Sequence, residues 1–241
     1  MSDKGVRSNH LLSLLPRADY ARVEPFLRTV ALRRRQCLQP ASAAIKTIYF
    51  PGSGLLSVAM MSDRSHPVPF ALIGRDGMSG LPIVLESDRS RYQVKVEIEG
   101  RAAEIEADEF RRLMAESEAL RSLMLRYVHA FAIQVSQSAL ANARARLPER
   151  LARWLLMATD RMPDNQVHLT HETLAEMLSV RRAGVSDALQ ALAADQIISM
   201  SRGHICILDR RRLKIAAGEF YGVAEQEFER LLGAAKNTAA R

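Results

Sequence analysis

Residues 169–207 constrain the chain more than any other stretch. LTHETLAEMLSVRRAGVSDALQALAADQIISMSRGHICI holds two helical periods separated by a tight bend, then two β-like runs. The first helix opens after Leu169, with Thr170 as N-cap and Glu172 in the first turn, where a carboxylate meets the positive end of the helix. Its apolar face is Leu174, Ala175 and Leu178. The second helix, roughly Arg181 to Ala194, repeats Val185, Ala188, Leu189 and Leu192 at helical spacing and leaves Arg181, Arg182, Ser186 and Gln190 off that face. Ala175, Ser179 and Val185 suit two crossing helices: an alanine where they come closest, a small residue at the bend, a valine filling the angle. Ile197–Met200 and His204–Leu208 then flank Ser201-Arg202-Gly203 as a hairpin, or wing.

One side of this unit packs and the other is free to touch a ligand. Arginines on the opening turn of a recognition helix face base edges in the major groove, where a guanidinium binds guanine O6 and N7 through two bonds. Arg181 and Arg182 are the candidate base readers, with Ser186 and Gln190 as further donors or acceptors. Asp187 accepts from cytosine N4 or orients Arg182. Thr170, His171 and Arg202 are candidates for phosphate. Gly184, inside the second helix, costs about 1 kcal/mol relative to alanine; it marks close approach of backbone to DNA, or is simply tolerated. Charge agrees with a phosphate partner. The chain carries +7 overall, with +5 in residues 1–40 and +4 in 141–214, the block containing the two helices and wing.

At 241 residues the chain divides more naturally into two domains than one. It has no apolar run long enough for a transmembrane helix and no signal-peptide core in MSDKGVRSNH, so a cytoplasmic protein without membrane contact is expected. Cys37 and Cys206 are too few and too separated for a disulfide framework or a metal cluster. The six histidines show no metal-ligand spacing, and no nucleophile–base pair stands out. Neither an enzyme nor a bound cofactor or metal is expected.

Before the helix pair, Asn9–Leu27 reads as one or two short helices. From Thr29 to Ile105 many short runs with alternating apolar residues are separated by turns such as Pro51-Gly52-Ser53-Gly54 and Gly74-Arg75-Asp76-Gly77, which suggests a closed antiparallel roll. Arg33-Arg34-Arg35 is read as part of a strand, forming a solvated edge. Ser117 caps a longer helix in which Leu120, Met124, Tyr127, Phe131, Gln134, Ser138 and Ala141 recur at steps of four and three, the seam of a two-stranded coiled coil, with Gln134 setting the register between two copies. Residues 147–160 form the next helix, with Trp154 as a core anchor. Pro163-Asp164-Asn165 forms a turn.

LAEMLSVRRAGVSDALQALAADQIISMSRGHICILDRRRL resembles the C-terminal winged helix of the Crp/Fnr superfamily of bacterial transcription regulators, in the branch whose recognition helix opens with VRR-x-GV. NHLLSLLPRADYARVEPFL and KTIYFPGSGLLSV resemble that family's sensory half, so the likeness covers nearly the whole chain. It implies an α+β protein: a jelly-roll-like sensory β-roll in residues 1–116, a dimerisation helix in 117–145 and a winged helix-turn-helix in 146–241. It implies a homodimer on a two-fold-symmetric double-stranded DNA operator, with RNA polymerase as a further partner. The effector pocket of cyclic-nucleotide-binding relatives maps onto Gly80, Leu81, Arg89, Ser90 and Arg91. Leu81 stands where those relatives carry the ribose-binding glutamate, and Pro82 removes an amide, so cyclic AMP is disfavoured and the small-molecule effector is left open. Asp187 stands where cyclic-AMP-responsive relatives carry a guanine-reading arginine, and the N-terminal cysteine cluster of iron–sulfur members is missing. The competing reading is a small-molecule-sensing module that acts through protein partners without touching DNA.

Overall fold

The computed structural model describes residues 8–61, 67–162 and 165–233. The segment before Ser8, the turn at Pro163-Asp164 and the tail beyond Gly233 lie outside the described residues. Two short helices, α1 (His10–Ser13) and α2 (Arg17–Val23), lead into strands β1 (Arg28–Leu32), β2 (Cys37–Gln39), β3 (Thr47–Pro51), β4 (Leu55–Met60) and β5 (Val68–Ile73). A one-turn helix, α3 (Leu81–Val84), precedes β6 (Tyr92–Ile98) and β7 (Gly100–Glu106). Next come α4 (Ala107–Glu116), the long α5 (Glu118–Arg144) and α6 (Leu147–Asp160). The C-terminal part contains β8 (Gln166–Val167), α7 (His171–Leu178), α8 (Arg182–Ala194), β9 (Ile198–Ser201), β10 (His204–Ile207), α9 (Arg210–Ala217) and α10 (Val223–Leu232).

The first seven strands form two antiparallel sheets, ordered β1-β7-β3 and β2-β6-β4-β5. Their alternation places Ile48, Phe50, Leu56, Val58, Val94 and Val96 in one core, which α4 and α5 close with Phe110, Leu120, Leu123 and Met124. The corner joining β6 to β7 needs glycine: a Cβ at Gly100 would lie 2.3 Å from the Ser53 carbonyl oxygen, and Gly54 has φ +83°. Arg33–Arg35 is not strand. β1 ends at Leu32, and the chain turns with Arg35 at φ +66°. This turn lets Arg34 Nη2 donate to Thr173 Oγ1 of α7 at 2.9 Å.

Ser117 caps α5, accepting from the Leu120 amide at 3.1 Å and donating to Asp19 at 2.6 Å. The seam expected to face a second copy faces inward instead. Leu120, Met124, Tyr127, Phe131, Gln134, Ser138 and Ala141 are all buried within the chain. Tyr127 donates to the Met78 carbonyl at 3.3 Å. Gln134 accepts from the Leu72 amide at 2.9 Å and donates to the Leu72 carbonyl at 3.2 Å. Because β5 is an edge strand, this amide fork caps backbone groups that have no neighbouring strand. A heptad-like spacing is thus satisfied by the protein's own roll, since the long helix needs an apolar stripe for that contact as much as for a coiled coil. On another side of α5 lies α10, where Arg126 Nη1 donates to the Leu231 carbonyl at 3.3 Å and Leu232 is buried.

The second core gathers Leu151, Leu155 and Ala158 of α6 with Leu174, Val185, Leu189, Ile205 and Leu213, and takes in Leu55, Leu72 and Ile98 from the roll. The junction is polar as well as apolar. Arg153, on α6, is buried and donates to the Phe220 carbonyl at 2.9 Å, Ser138 Oγ at 3.1 Å and the Gln134 carbonyl at 3.5 Å. Arg161, at the end of α6, pairs with Asp76 of the roll at 3.0 Å. Replacing Gln134 by methionine keeps the volume but strands the Leu72 amide and carbonyl. We predict a loss of about 1–3 kcal/mol in urea unfolding with the association state unchanged; dissociation of an assembly at unaltered stability would contradict this placement.

Candidate nucleic-acid interface

The helix pair is built as its residues dictate. Thr170 Oγ1 caps α7 by accepting from the Thr173 amide at 3.2 Å. Ser179 then adopts φ +53°, ψ +48°, a left-handed bend that few side chains tolerate and a small polar one does. The Val180 amide returns to the Ala175 carbonyl at 3.0 Å, so the bend is hydrogen-bonded. Ala175 and Val185 are buried in the angle between α7 and α8. With Val185, Ala188, Leu189 and Leu192 packed inside, α8 leaves Arg182, Ala183, Asp187, Gln190, Ala191 and Ala194 exposed along one face. Arg181 is the N-cap of α8 and exposed, one position before the helix proper.

These residues do not all play equal parts. His171 Nδ1 and Ser186 Oγ lie 2.9 Å apart, so this pair ties α7 to α8. Asp187 forms no ion pair with Arg182 among the described residues, so the structure holds no example of the orienting role considered for it. A Cβ at Gly184 would lie 3.0 Å from Leu147 Cδ2 at the start of α6, so the small residue suits the packing of α8 on α6. The wing is a hairpin whose turn is Arg202-Gly203, with Gly203 at φ +75° and Arg202 exposed. Beside its turn the His168 and His204 rings meet edge to face, 4.3 Å between centroids. Sequence reasoning overlooked the exposed alanines of α8 and the Arg34 contact, which joins residues 139 positions apart.

The effector residues fare differently. Gly80 is left-handed at φ +76°, and a Cβ there would lie 2.8 Å from Ile48 Cγ1. Leu81 is buried with Pro82, Ile83 and Val84 in the roll core, and Ser90 is buried, whereas Arg89 and Arg91 are exposed. Apolar packing by Ile48 thus lies directly against Gly80, beside the buried Leu81–Val84 turn. A larger space, about 670 Å³, opens between the roll and the helix pair. Its walls are Ser57, Lys95 and Glu97 from β4 and β6, and Glu172, Glu176 and Arg181 from the helix pair. Glu97 is 2% exposed, accepts from Ser57 Oγ at 2.7 Å and lies 3.8 Å from Lys95 Nζ. Burial pushes its carboxyl above the usual range, ahead of the opposing effects of Ser57 and Lys95.

A sequence profile described as a Crp-like helix-turn-helix domain matches residues 149–215, which run from α6 through the wing into α9. The chain superposes on a regulator assigned to the crp/fnr family from Eubacterium rectale ATCC 33656 with a TM-score of 0.65 at 20% identity, over 88% of this chain and 99% of that one. The chain has the fold of these regulators, and residues 149–215 form a Crp-like helix-turn-helix domain. A CRP-family transcriptional regulator from Thermus thermophilus is similar at TM-score 0.65 and 21% identity, covering 79% of this chain and 97% of its own. The c-di-GMP responsive global regulator CLP of Xanthomonas campestris is similar at TM-score 0.63 and 15% identity, over 80% and 99%. No curated protein sequence matches significantly. Among the described residues, no helix is long and apolar enough to cross a membrane, and no group of three His, Cys, Asp or Glu side chains is placed to hold a metal ion.

The raised Glu97 pKa has a signed consequence. A carboxyl whose folded pKa exceeds its unfolded value favours folding below the unfolded pKa, and that contribution is lost as pH rises through the folded pKa. Glu97→Gln, which keeps a partner for Ser57, is predicted to raise the urea midpoint at pH 8 and leave it little changed at pH 4. An equal shift at both pH values would show that the buried charge is not the cause.

Proposed function

We propose that this chain is a sequence-specific DNA-binding transcription regulator that acts in the cytoplasm as a homodimer on a two-fold-symmetric operator. The observation that carries the reading is the exposed face of α8, opened by Arg181 and Arg182 and set on a buried helix-turn-helix angle. A recognition helix presents its N-terminal side chains to base edges, so Arg182 and Arg181 read guanine, and Gln190 and Asp187 contribute further along. Arg202, on the wing, contacts phosphate. His171 and Ser186 hold α8 at its angle while their remaining capacity faces the backbone of the duplex. RNA polymerase is the partner on which such a regulator would act.

The dimer uses a stripe of α5 other than the buried one. Arg121, Leu125, Val128, Ala132, Val135, Ala139 and Asn142 recur at steps of four and three. Leu125 is 43% exposed, Ala132 and Ala139 are exposed, and Val128 and Val135 are half-buried. Alanines at alternate positions let two helices approach closely, and the spacing is that of a left-handed pair. Two copies joined along this stripe would set their recognition helices on half-sites about 10–10.5 base pairs apart.

Three substitutions test this reading. Selection from a random duplex library should return a pseudo-palindrome, on which Arg182→Ala weakens binding by about 1–3 kcal/mol and relaxes preference at one base pair per half-site; equal losses on selected and random DNA would reduce Arg182 to a phosphate contact. Ala132→Glu should give a folded monomer in sedimentation, whereas Phe131→Asp should unfold the chain. A folded, dimeric Ala132→Glu protein would refute the stripe.

A further inference from the structure

A smaller cavity lies where α5, α6, α7 and β5 meet, with a volume of about 40 Å³. One water needs about 10–15 Å³ by this measure, so the space suits roughly three waters or one small ion of three or four heavy atoms. Its walls are mostly apolar, with Phe70, Leu72, Trp154 and Met157 among them, but two arginines one turn apart on α6, Arg150 and Arg153, also line it. Neither has a carboxylate within 4.0 Å among the described residues. Arg150 donates to the Leu178 carbonyl at 2.5 Å, yet its Nε is buried with no hydrogen-bond partner. Arg153 is 8% exposed and its donors reach only neutral oxygens.

A buried guanidinium and a half-buried one, neither in an ion pair among the described residues, are costly to hold together in a low-dielectric setting, and an anion between them would offset that cost. Burial lowers both pKa values, Arg153 to about 10, with Glu225 opposing the shift at Arg153 more weakly. We infer that this cavity binds a small monovalent oxyanion, of the size of nitrate, nitrite or formate, held by Arg150 and Arg153. The planar fork of a guanidinium matches two oxygens of such an ion better than a spherical halide. Asn142, exposed at the end of α5, also lines the space and marks its edge.

The position gives the ion leverage. Arg150 already bonds the last carbonyl of α7, Arg153 bonds α5, and Pro69–Leu72 belong to the roll. An occupied cavity therefore fastens the helix-turn-helix to the roll at the α5–α6 joint. Anion binding here does not depend on the DNA reading.

The test uses the purified full-length chain in chloride-free buffer at constant ionic strength, exchanging sodium gluconate, too bulky for the cavity, for sodium nitrate. The expected result is a saturable rise in Tm of about 3–6 °C with nitrate. Arg150→Met, at a half-buried position, should remain folded and show less than a third of that rise. Superimposable nitrate and gluconate curves for the wild-type chain, or an undiminished nitrate response in Arg150→Met, would overturn the site.

Discussion

Arg153 carries a guanidinium into the joint between the roll, the long helix and the winged helix, and its three acceptors belong to α5 and to the turn before α10. A charge placed there without such bonds would disfavour folding by several kcal/mol. With them, it fixes the angle at which α6 leaves α5. Gln134 extends the same network to the edge of β5, and the Arg161–Asp76 pair fastens the far end of α6 to the roll. The orientation of the helix-turn-helix thus rests on buried polar contacts, which demand specific geometry in a way that apolar packing alone does not.

From this joint the rest follows by geometry. α6 supports the angle between α7 and α8 through Leu147, Leu151 and Leu155, and Leu147 lies against Gly184. Ser179 reverses the chain in a left-handed bend, which turns one face of α8 outward. Arg34 reaches from the roll to Thr173, so the roll touches the first helix of the pair directly. A change of shape in the roll has two routes to α8: through Arg34 and α7, and through Gln134 and α6.

Much of this was legible in the residues. The helix pair, the wing, the cap at Thr170, the cap at Ser117 and the extent of α6 all follow from local periodicity and capping chemistry, which act within a few positions. What local pattern does not carry is which partner an apolar stripe meets. The spacing of Leu120, Met124, Tyr127 and Phe131 fits a coiled coil and a helix on a sheet equally well, and only the roll's open edge at β5 decides between them. The Arg33–Arg35 turn and the filling of the space around Gly80 by Ile48 likewise depend on residues distant in sequence. The effector residues were aligned by resemblance, and the substitutions Leu81 and Pro82 already marked where that resemblance weakens.

The central claim is that paired, exposed arginines meet the phosphates and bases of a duplex. The most direct measurement is the affinity of the full-length chain for duplex DNA across a salt series, read by fluorescence anisotropy. One phosphate-contacting arginine per copy, doubled by two-fold symmetry, predicts a slope of log K against log salt of about −2 or steeper. A slope near zero, or no binding at low ionic strength, would contradict the account.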